Sequence, residues 1–183
     1  MLPSKYAWLN DIGPLPKALA VALQYYGIKE IPGLKSNPII LQMAQNIGVA
    51  DIYKNDDLSW CALFVNNCLK LAGKPLVDSK GDRWNLLRAL YLLNWGQEVQ
   101  PGDERTGDVM IFAREGGGHV AFNIAESKNT FHVFGGNQAN AAGFTEISKT
   151  RLKGARRLYD IGPPKSAGKH FIGSSGKLST NEA

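Results

Sequence analysis

A cysteine attacks an amide carbonyl as its thiolate, and it then needs a base to take the proton and a polar group to orient that base. The chain contains the cysteines Cys61 and Cys68 and the histidines His119, His132 and His170. Cys61 stands just after Ser59 and Trp60 at the head of the apolar run Cys61-Ala62-Leu63-Phe64-Val65, which places it in the first turn of a helix. Unsatisfied backbone N–H groups and the positive end of the helix dipole favour a thiolate there. Cysteine also buries readily as a small apolar residue, and Cys68 is read that way. Among the histidines, His119 opens a strand after Gly116-Gly117-Gly118, His132 sits mid-strand between Phe131 and Val133, and His170 lies in a Gly- and Ser-rich tail. Asn137 follows Gly135-Gly136; two-residue alternation puts it on the face opposite His132, while the glycines would equally make it a plain turn residue.

The element that carries Cys61 is expected from Trp60 to Ala72, with Ser59 as N-cap and Gly73 just past the end. At 3.6 residues per turn Cys61, Phe64, Val65, Cys68, Leu69 and Ala72 share one stripe, with Asn66, Asn67 and Lys70 opposite. Ahead of it, residues 1–13 read as irregular with Trp8 as an anchor. A helix runs from Lys17 to Tyr26 after Pro16, and another starts at Asn37-Pro38 and ends at Gly48. A fourth helix is expected from Arg83 to about Leu93. The period then changes to two: Asp108–Ala113, His119–Ala125, Thr130–Gly135, Phe144–Ser148 and Ala155–Ile161 read as short strands. Helices followed by an antiparallel meander make an α+β arrangement, with the helices over one face of the sheet.

At 183 residues the chain has room for one substantial core. No stretch approaches the ~18 apolar residues of a membrane span, and no signal-peptide pattern opens the sequence, so synthesis in the cytoplasm is expected. Seven residues along one helix hold Cys61 and Cys68 roughly 10 Å apart, beyond disulfide reach, so both should be reduced. The net charge of +5 favours approach to a polyanion. The basic residues are scattered without a nucleic-acid-binding motif, so nucleic acid is not expected, and an anionic cell envelope would suit the charge equally well.

Taken in order, Trp60-Cys61-Ala62-Leu63-Phe64-Val65, Gly107-Asp108-Val109-Met110-Ile111-Phe112, Gly118-His119-Val120-Ala121-Phe122 and Gly135-Gly136-Asn137-Gln138 resemble the papain-like peptidoglycan hydrolases of the CHAP and NlpC type. The likeness is greatest to a small single-domain group with the Gly-Gly-Asn-Gln signature, common in phages and prophages, and it covers about residues 14–160. It implies a papain-like α+β fold, N-terminal helices on a C-terminal antiparallel sheet of about five strands, in a domain over 1–161; the Gly-, Ser-, Pro- and Lys-rich composition of 162–183 reads as a flexible basic tail with almost nothing to bury. It also implies Cys61 as nucleophile, His119 as base and Asn137 as orienter, with Trp60, Gly118 and Gln138 at the substrate and neither metal nor cofactor. Trp84 and Trp95 could join Trp60 along a glycan groove.

Two departures from the pattern matter. Gly135 replaces the acidic residue that some CHAP members carry just before this asparagine, which excludes a Cys-His-Glu version. Asn55 is only a loose counterpart of the papain glutamine, so the backbone N–H of Cys61 is the better oxyanion donor. The implied activity is hydrolysis of an amide in peptidoglycan, at the N-acetylmuramoyl-L-alanine bond or within the stem peptide, by a monomeric phage-type lysin acting on the wall after release. The alternatives are a non-catalytic wall-binding or structural module of a phage or secretion apparatus, and a zinc amidase using His119, His132 and Asp108. No His-x-x-x-His spacing supports the zinc reading.

Overall fold

The computed structural model describes residues 1–33, 35–158 and 164–180. A 3-10 turn, Ser4–Asn10, precedes three α-helices: α1 Lys17–Leu23, α2 Pro38–Ile47 and α3 Cys61–Leu71. Local chemistry sets their ends. The Asn37 side chain accepts the Ile39 N–H at 2.9 Å to start α2, and Gly48 ends it at φ 78°. At the end of α3, Lys74 N–H reaches Leu69 O at 2.9 Å and Gly73 N–H reaches Lys70 O at 3.0 Å, a Schellman closure around Gly73. The single helix expected over Arg83–Leu93 is instead two 3-10 segments, Arg83–Leu87 and Ala89–Asn94, broken at Arg88, which is extended with φ −99° and ψ 113°.

Six antiparallel strands follow: β1 Gln97–Val99, β2 Val109–Arg114, β3 Gly117–Glu126, β4 Thr130–Gly135, β5 Gly143–Ser148 and β6 Leu152–Arg157. Their order is β1-β6-β2-β3-β4-β5, so β2 to β5 form the expected meander and β6 returns to the far side of β2. The additional strand is β1, three residues too short to show a period. The expected last strand began at Ala155 and ran to Ile161; β6 covers Leu152–Arg157, and positions 159–161 lie outside the described residues.

Helix α3 lies between α1 and α2 on one side and β3 on the other, so it is buried on every face from Cys61 to Leu69. This overturns the expected polar side. Asn66 and Asn67 are buried and hydrogen-bonded instead: Asn66 Nδ2 donates to Leu86 O at 2.9 Å, and Asn67 Oδ1 accepts from Asn46 at 2.8 Å. Cys68 is sealed in the same core, and burial alone pushes its thiol well up. The helices and the facing side chains of the sheet, including Val109, Val120 and Phe134, make the larger core. The other side of the sheet closes on a smaller cluster around Met110, Phe112, Phe131 and Val133.

The C-terminal segment departs from the expectation of a flexible tail, of which residues 162, 163 and 181–183 are outside the described residues. Over 164–180 the chain lies against the domain. Phe171 bridges to Glu126 in parallel, Glu126 N–H reaching His170 O at 2.8 Å and Ile172 N–H reaching Glu126 O at 3.0 Å. Glu146 on β5 accepts from Ser174 Oγ at 2.7 Å, from the Ser175 N–H at 3.0 Å and from Lys5 Nζ at 2.6 Å. Ser166 and Ala167 are buried, in a segment whose composition offers almost nothing to bury.

Candidate active site

The N-cap of α3 is Trp60, whose side chain makes no capping hydrogen bond, and not Ser59. Its hydroxyl has a different role: Ser59 Oγ lies 3.8 Å from Cys61 Sγ. Cys61 is the first residue of the helix, and the first intrahelical bond is Phe64 N–H to Trp60 O at 2.8 Å, so its own N–H is one of those the helix leaves unused.

His119 on β3 completes the pair, and its ring helps to lower the thiol pKa. The protonation pattern of its ring follows from the neighbours. Gln138 Nε2 hydrogen-bonds to the Gly143 carbonyl, which can only accept, so the amide NH2 must face Gly143 and the amide oxygen must face the imidazole. That oxygen lies 3.1 Å from His119 Nε2. Nε2 therefore carries the proton, and Nδ1 is the ring nitrogen that keeps a lone pair able to accept one. After Nδ1 takes the thiol proton, Nε2–H still donates to Gln138, so one arrangement serves both protonation states.

Cys61 is buried, which opposes ionisation, but three donors outweigh it: the His119 ring, by hydrogen bond and charge, the Ser59 hydroxyl and the Val120 backbone N–H. Its thiol is held below the ordinary cysteine value. Ser59 is itself directed. Asn137 Nδ2 donates to Ser59 Oγ at 3.2 Å, occupying a lone pair and leaving the hydroxyl proton for the sulfur.

The contact to the histidine thus comes from Gln138, one position past the residue expected to orient it, and Asn137 serves the cysteine side. The strand ends at Gly135, and Asn137, Ala139 and Asn140 have φ of 56°, 52° and 58°, so a two-residue period cannot be counted through this turn. The preceding glycines are required by close approach: a Cβ on Gly136 would sit 2.6 Å from the Trp60 ring, and one on Gly135 2.8 Å from Ala121 Cβ. Only a chain without side chains there can bring Asn137 and Gln138 against the start of α3.

Cys61 and Ser59 open into a cleft of ≈ 600 Å³. Gly117, Gly118 and Arg114 line it from the β2–β3 hairpin; Arg88, Leu90 and Tyr91 line it from the 3-10 segments. Gly118 is at the cleft as expected, and a Cβ there would meet Leu90 at 2.7 Å. Trp60 is not: it is 0% exposed, packs edge-on to Phe64 and donates Nε1–H to Glu30 at 2.6 Å. Trp95 is also buried, donating to Pro75 O at 2.8 Å, and only Trp84, 46% exposed, keeps an open indole. Gln138 is buried and engaged by His119 rather than facing a substrate. Asn55 is exposed.

The groups of the zinc alternative are dispersed. Asp108 is bound by both Nε and Nη2 of Arg157, at 2.6 and 2.7 Å, and His132 Nδ1 lies 3.0 Å from Tyr6 OH on a separate cluster with Glu146. His170 contacts Ser166 O at 3.2 Å and the Trp8 ring. Among the described residues no group of three or more His, Cys, Asp or Glu is placed to hold a metal ion. What the arrangement can do is present a preformed nucleophile, a base of fixed tautomer and an unused backbone N–H at one end of a cleft, the set that acyl transfer needs. No protein-family model matches the chain, and a search of curated proteins finds none similar to it.

Proposed function

We propose that the protein is a cysteine amidohydrolase that cuts an amide bond of bacterial peptidoglycan, either between muramic acid and L-alanine or within the stem peptide. The observation that carries the reaction class is the line Gly143, Gln138, His119, in which the Gly143 carbonyl fixes the amide and the amide fixes the imidazole tautomer, ending at a ring that lowers the Cys61 thiol pKa. The substrate class rests on the ordered motifs around Cys61, His119 and Asn137 and on the net charge of +5, which suits an anionic wall.

In this reading Cys61 Sγ attacks the amide carbon with its proton on His119 Nδ1, and the oxyanion is met by the Cys61 backbone N–H. The imidazolium returns that proton to the leaving nitrogen, so the C–N bond breaks and a thioester and a free amine remain. Water then loses a proton to Nδ1 as it attacks the thioester, and collapse expels the thiolate and frees the acid.

Mass spectrometry of muropeptides after digestion of purified walls tests this. New fragments ending at a single bond type are expected with the protein and none with Cys61→Ala. Unchanged muropeptides would overturn the substrate class, and equal digestion by Cys61→Ala would overturn the mechanism.

A further inference from the structure

The cleft beside Cys61 is lined by the arginines Arg88 and Arg114 and by no aspartate or glutamate among the described residues. A space of ≈ 600 Å³ is about 8 Å across if roughly equiaxed, so charges on its walls act on a bound group within about one Debye length. Arg88 is held in place from its own segment: Nη1 donates to Asn85 Oδ1 at 2.7 Å and to Asp82 Oδ2 at 2.9 Å. Both bonds use one nitrogen, and the fork presents others. The Asp82 pair is exposed on both sides, 60% and 47%, and exposed pairs of this kind are weak enough to yield to a better-placed acceptor. Asp82 also caps its segment, accepting the Trp84 N–H at 3.0 Å through its other oxygen, so it positions Arg88 without lining the cleft.

We propose that Arg88, with Arg114 across the cleft, forms a subsite for a carboxylate on the residue flanking the scissile amide. The enzyme then prefers a substrate with a free acid at that position to the same substrate carrying a carboxamide. The inference rests on the hydrolase reading and deepens it: the cut lies beside an acidic residue of the stem peptide. A guanidinium donates to a carboxylate through paired N–H groups, and a carboxamide replaces one acceptor oxygen with a donor, losing both a bond and the charge.

Alkylation of Cys61 in the folded protein reads the subsite without a substrate. The ratio of iodoacetate to iodoacetamide rates, each divided by the rate with free cysteine, should exceed one. It should fall by about two- to threefold in Arg88→Gln, fall less in Arg88→Lys, which keeps the charge without the paired donors, and shrink with added salt. Walls whose stems carry free D-glutamate should then be cut faster than walls whose stems carry the amidated residue, with the difference reduced in Arg88→Gln. A normalised ratio at or below one, or one that Arg88→Gln leaves unchanged, would overturn the subsite while leaving the nucleophile intact. Failure of Cys61 to react with either reagent would overturn both readings together.

Discussion

Two side chains that differ by one position divide the work around Cys61 and His119, and their removal should separate them. Gln138→Ala deletes the acceptor that holds the Nε2–H tautomer, leaving a base that is correctly set only part of the time; turnover should fall on the order of 10- to 1000-fold. Asn137→Ala acts only through Ser59, so a loss of roughly tenfold or less is expected. Cys61→Ala and His119→Ala should each reach background, and Cys61→Ala combined with Gln138→Ala should be no worse than Cys61→Ala alone, because the groups act as a unit. Steady-state rates on a purified muropeptide check all of these. Ser59→Ala also removes one of the three donors that lower the thiol pKa. The pH at which Cys61 alkylation reaches half its maximal rate should therefore move up, toward that of free cysteine. The places of Cys61 at a helix start and of His119 on a glycine-flanked strand were legible in the sequence. The contacts of Asn137 to Ser59 and of Gln138 to His119 were not, since left-handed residues in the turn break the two-residue alternation.

At the scale of elements, α2 and four of the strands could be read almost to the residue, because caps and the glycines and polar turns that bound the strands are local signals. Helix α3 starts where the sequence places it, but it is buried on all sides instead of on one stripe. Periodicity assumes that asparagines mark solvent, whereas Asn66 and Asn67 here answer the Leu86 carbonyl and the Asn46 amide across packed elements that no single stretch reveals. Trp60 misled for the related reason that an aromatic beside a nucleophile suggests a groove, while this ring is the surface on which Gly136 rests. That contact should be unforgiving. Gly136→Ala must push the turn off the indole, with a cost of typically 1–3 kcal/mol for overpacking. It should also lower activity beyond what the lost stability explains, because Asn137 and Gln138 move with it. Thermal melts and rates measured well below the melting temperature would show the two effects separately.

Across the whole molecule, the C-terminal segment ties the N-terminal turn to the sheet, and composition could not show this because the ties are backbone groups and one carboxylate. Removing residues 164–183 should lower the melting temperature by several degrees, where composition alone would predict little change. The tie is also pH-dependent. Burial opposes ionisation of Glu146, but Lys5, Ser174 and Ser175 outweigh it and hold its pKa down from 4.5 to about 2. With the folded value depressed, this stabilisation is complete above about 4.5 and is lost as pH falls toward 2. Proteolysis within 164–180 should accelerate over that interval, and Glu146→Gln should show the acid behaviour already at neutral pH. The central proposal, that one of two buried cysteines is a preformed nucleophile, is met most directly by timed iodoacetamide labelling at pH 6 with peptide mapping and a parallel hydrolysis assay. Cys61 should be modified first, mole for mole with the loss of hydrolysis, while Cys68 stays unmodified until the protein unfolds. Equal labelling of both cysteines, or full modification of Cys61 with hydrolysis retained, would contradict it.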